Sequence, residues 1–181
     1  MKVLLWGIGA VVAGLGVTAL GIWSLRARQP QLREALPATP MQRLSRRGLA
    51  VGALLTLGLL AVVGYFGPER TMEDDAIRIG FTLLLLAILA VFALLSLRLM
   101  AWIRRRDTVV DERDRAILSG SHGLRSGAML VTLAIWMIGL VESYQAQGSM
   151  PLYWLYFMFW SVLVVSLLTF PLGILFGYRS A

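Results

Sequence analysis

The residues best suited to chemistry lie together, in Arg104-Arg105-Arg106-Asp107-Thr108-Val109-Val110-Asp111-Glu112-Arg113-Asp114-Arg115. On a helix, Asp107, Asp111 and Asp114 fall four and three residues apart and share one face. Carboxylates grouped in this way are hard oxygen ligands for a divalent cation. With Glu112, Arg113 and Arg115 beside them, they also form a docking surface for a protein partner. A simpler reading uses the same charges on one another. Asp111 stands one turn before Arg115, the favourable acid-before-base order, which contributes about 0.2–0.5 kcal/mol on an exposed helix. A solvated helix with self-paired charges would result.

A second set of candidates lies in apolar sequence. Glu142 is the acid found inside a long apolar stretch, where ionisable groups usually mark transport or proton paths. The run Tyr153-Trp154-Leu155-Tyr156-Phe157-Met158-Phe159-Trp160, with Trp136 upstream, supplies rings for a hydrophobic-ligand groove. Trp136, Trp154 and Trp160 would line it, and Glu142 would be the polar group reached by a transported substrate. An interfacial aromatic belt extended inward by packing uses the same rings.

Several chemistries are excluded. Cysteine is absent, which removes disulfides, thiolate metal sites and iron–sulfur ligation. His122 is the one histidine, so bis-histidine haem and two-histidine zinc patterns are ruled out. Its surroundings, Ser119-Gly120-Ser121-His122-Gly123, read as a flexible loop and lack the Gly-Lys-Ser/Thr ending of a phosphate loop. No nucleophile–base pair is evident. The expectation is a protein without cofactor or metal and without covalent catalysis.

Lipid positions these groups. Of 181 residues, 58% are hydrophobic and 15% charged, against about 45–50% and 25% for an ordinary soluble chain. The apolar residues come in five blocks, approximately 3–25, 48–66, 79–103, 126–144 and 152–176. Each is near the roughly 20 helical residues that cross a bilayer core. They are continuous rather than alternating, so a helical bundle is expected and a barrel is not. The first block is too long for a secretory signal and is followed by Ser24-Leu25-Arg26-Ala27-Arg28, with no small-x-small cleavage site.

The connections set orientation. Fourteen of the seventeen basic residues fall in the segment 26–47, in the segment 98–125, or at Arg179; Lys2, Arg70 and Arg78 fall on the other side. The positive-inside rule then places the N-terminus outside and the C-terminus inside. The net charge of +7 is accounted for by membrane topology and calls for no nucleic acid. Pro30, Pro37 and Pro40 predict an extended inner loop over 29–42, and Gly67-Pro68 predicts a short outer turn rich in acid. A tight outer turn is expected over 145–151. Gly7, Gly14 and Gly21, Gly48 and Gly52, and Gly173 and Gly177 form small-residue faces for helix packing, within the bundle or against a second copy.

The stretch Asp111-Glu112-Arg113-Asp114-Arg115-Ala116-Ile117, running into an apolar helix, resembles a group of small uncharacterised bacterial multi-pass membrane proteins. Their members carry an Asp-Glu-Arg-Asp/Glu cluster and an isoleucine shortly before a span. The likeness covers about 104–144 and implies a bacterial membrane protein, with no activity or functional residue carried over. The expected whole is an all-α, five-span, N-out/C-in domain over 1–181 in a bacterial inner membrane. It would be non-enzymatic, in contact with membrane lipids, and would bind a protein or lipid, or form a homo-oligomer. A small transporter or hydrophobic-ligand carrier is the alternative.

Overall fold

The computed structural model describes residues 2–28, 40–105 and 112–180. All regular structure among them is helical: α1 (Lys2–Arg28), α2 (Pro40–Phe66), α3 (Pro68–Glu73), α4 (Asp75–Arg105), α5 (Glu112–Tyr144) and α6 (Tyr153–Ser180). The five long helices are each long and apolar enough to cross a membrane. In hydrocarbon, a helix satisfies its backbone groups internally, and these sequences have the length to do so.

The helices run past the apolar blocks at most ends. Pro40 starts α2, where its missing N–H costs nothing, so Pro40, Met41 and Gln42, expected at the end of an extended loop, lie on helix. Helix α5 starts at Glu112, and the Ser119–Gly123 stretch is therefore helical, not a flexible linker. Neighbouring helices and the long apolar run beyond it outweigh the low intrinsic propensity of its glycines and serines. The turn after α2 contains a short helix, α3, with Pro68 in its first turn. Gly67 precedes it at φ 78°, a backbone that disfavours any side chain. Asp74 then caps α4 by accepting from the Ala76 and Ile77 amides at 2.9 and 3.2 Å.

Packing centres on α6. Half of its apolar span is buried, against 6% for that of α2. Helices α1, α5 and α6 form the tightest group, and α2 and α4 pack along the other side of α6. The glycine stripe on α1 faces α5: a Cβ at Gly7 would come within 2.5 Å of Trp136, one at Gly14 would collide with Thr132, and one at Gly21 with Leu124. These pairs run in opposite directions along the two chains, so α1 and α5 are antiparallel. Gly173 and Gly177 bring α6 onto Ser121 and Ile117 of α5 in the same manner. Gly52 abuts Leu167 and Gly48 abuts Leu95. The small-residue faces thus serve packing inside the bundle.

Hydroxyls join the central group. Thr18 donates to the Gly14 carbonyl at 3.0 Å and lies 3.0 Å from the Thr169 hydroxyl, both residues being buried. Thr132 and Ser121 return their protons to the carbonyls of Ala128 and Ile117. Outside this core, Leu54, Leu57, Leu60, Leu83, Leu86, Leu94, Leu97 and Leu130 are exposed. A soluble fold would hide such a surface, whereas hydrocarbon solvates it.

Candidate functional site

The helix pairings place the start of α5 beside the end of α6. Asp107 and Asp111 lie outside the described residues. Asp114 is half-buried and accepts a hydrogen bond from the Tyr178 hydroxyl. Ile117, three residues on, is buried against Gly177, and Ser121 sits against Gly173. Asp114, Ile117 and Ser121 therefore form the face turned to α6, at helical spacing. Glu112 and Arg115 are exposed on the remaining surface; Arg113 is helical, with its side chain outside the description. The cluster is split in two: one carboxylate holds helices together, and the outward charges are left to solvent.

His122 is exposed on α5, with its ring 4.9 Å from that of Phe170 in α6. The Arg125 guanidinium stands 5.8 Å from the same Phe170 ring, within reach of a cation–π contact. Among the described residues, no group of three or more His, Asp or Glu side chains could hold a metal ion.

Glu142 and the three indoles are not one constellation. Glu142 is exposed, whereas Trp136, Trp154 and Trp160 are 3%, 4% and 8% exposed. Trp136 and Trp154 pack together at 6.3 Å between ring centroids in a cluster with Val3, Ala10 and Leu140. The Trp154 indole N–H donates to the Tyr144 hydroxyl at 2.5 Å, pinning the turn between α5 and α6. Trp160 belongs to a different cluster, with Phe81, Leu85 and Ile88 of α4. The rings fill space between helices. The indole N–H groups of Trp136 and Trp160 have no partner among the described residues.

Two features had no sequence signal. Tyr178 is 64 residues from Asp114, and only the α5–α6 packing joins them. A cavity of about 50 Å³ between α2, α4 and α6 brings together Ser45, Ser96 and Pro171, from three separate helices. No family model matches the chain, and neither a curated protein nor a solved structure does.

Proposed function

We propose that the chain is a non-enzymatic, five-span component of a bacterial cytoplasmic membrane. It is oriented N-out/C-in and engages a protein partner through its cytoplasmic face. The observation that carries this reading is the clamp at the start of α5. Asp114 bonded to Tyr178, with Ile117 against Gly177, fixes the charged first turns of α5 on the bundle. Glu112 and Arg115 are presented outward from a rigid helix, and a docking surface held in place loses less entropy on binding. The basic residues gather at the same end of the bundle, as a cytoplasmic face requires.

The transport alternative receives less support. Glu142 is exposed, and the three indoles are packed in two separate clusters rather than around an open groove.

The two readings rank variants in opposite order. Glu112→Gln with Arg115→Gln is compared with Glu142→Gln, by the phenotype of a deletion strain and by the proteins that copurify in mild detergent. The charge pair is expected to remove both phenotype and partner, with Glu142→Gln behaving as wild type. Loss of the phenotype with Glu142→Gln alone would turn the assignment to transport.

A further inference from the structure

We propose that the cavity between α2, α4 and α6 is a binding site for an anionic phospholipid, taking its phosphate–glycerol region at the basic end of the bundle. The site goes beyond the partner surface on α5 and uses none of its residues. Ser45 and Gly48 of α2, Ser96 of α4, and Leu167, Phe170 and Pro171 of α6 line it. Its volume of about 50 Å³ exceeds the roughly 10–15 Å³ that one water needs. A polar group larger than water fits.

The lining holds hydrogen-bonding groups. Ser45 is only 7% exposed and borders the cavity. Ser96 adds a second hydroxyl from the facing helix. Pro171 has no N–H, so the Leu167 carbonyl lacks its usual helical donor four residues on, and both residues line the same space. Gly48 keeps the wall thin, since a Cβ there would stand 3.2 Å from Leu95.

Charge selects the ligand. Arg43, Arg46 and Arg47, all exposed, flank Ser45 on α2, and exposed Arg98 lies two residues beyond Ser96 on α4. Helix α2 contains no acid, and the one acid of α4, Asp75, is at its opposite end. This surplus repels a cation and favours a lipid headgroup of net negative charge, to whose phosphate hydroxyls and guanidinium groups donate. The apolar side chains Leu44, Leu95 and Ile174 in the same lining suit acyl chains rather than a free anion.

The test is titration of the purified full chain, in mild detergent, with phosphatidylglycerol or phosphatidylcholine, the bound lipid being counted by native mass spectrometry. Phosphatidylglycerol is expected to bind about tenfold more tightly than phosphatidylcholine, the size of one charge-assisted interaction. Ser45→Val should weaken phosphatidylglycerol binding about tenfold. Arg46→Gln with Arg47→Gln should abolish the preference between the lipids, and Arg78→Gln at the far end should leave it intact. If Ser45→Val lowers the yield of folded protein, Ser96→Val on the less buried wall gives the same readout. Equal affinity for the two lipids overturns the proposal, as does a preference that survives both the serine and the arginine variants. Binding in detergent does not depend on orientation, so failure here and failure of the N-out assignment are separable.

Discussion

At the residue scale, close approach rests on single atoms. Gly14 is the tightest point of the α1–α5 contact, with Thr132, the Ala128 carbonyl and Val165 all around the position of an added Cβ. Overpacking a well-filled interior costs about 1–3 kcal/mol. Gly14→Ala is therefore expected to lower the thermal midpoint in detergent clearly. Gly16→Ala is the control, because its Cβ would meet nothing within 4 Å. It should change stability by less than about 0.5 kcal/mol. Equal effects at both positions would mean that α1 does not pack on α5 through this stripe. The Thr18–Thr169 bond lies beside the same contact, bridging α1 and α6. A double-mutant cycle with Thr18→Val and Thr169→Val should give a coupling of about 0.6 kcal/mol, the usual size for hydroxyl pairs between membrane helices. Additive single effects would remove the bond from the account.

At the element scale, the five apolar spans were legible because hydrocarbon imposes length and apolarity on each helix separately. Helix ends were less legible. Ser119–Gly123 reads as a loop in isolation, yet in α5 Ser121 is buried against Gly173 while Gly120 and Gly123 have open space. Tertiary contact decides that segment, and no single-chain pattern encodes it. The candidate site was legible in part. The charge cluster could be seen, but the inward turn of Asp114 depends on Tyr178, and the role of the indoles depends on which helices they meet. Spin labels placed singly along Glu112–Arg125 should report mobility with helical periodicity, lowest at Ile117 and Ser121. Gly120→Ala and Gly123→Ala should leave folding intact. Uniformly high mobility across the segment would restore the flexible-loop reading.

At the scale of the whole molecule, the central claim is orientation. The helix pairings place Lys2, the segment 67–74 and the segment 145–152 at one end of the bundle. The ends carrying Arg43, Arg46, Arg47, Arg98 and Arg115 are gathered at the other. Under the proposed assignment to a bacterial cytoplasmic membrane, such asymmetry favours the basic end in the cytoplasm. The proposed partner surface then faces the cytoplasm, and the proposed lipid site meets the inner leaflet. The most direct measurement is a set of topology reporters fused after Ala35, Met72, Val110, Gly148 and Ala181. The expected signals are inside, outside, inside, outside, inside. A cytoplasmic signal from the fusion after Met72, which lies within the acidic turn between α2 and α4, would contradict this orientation.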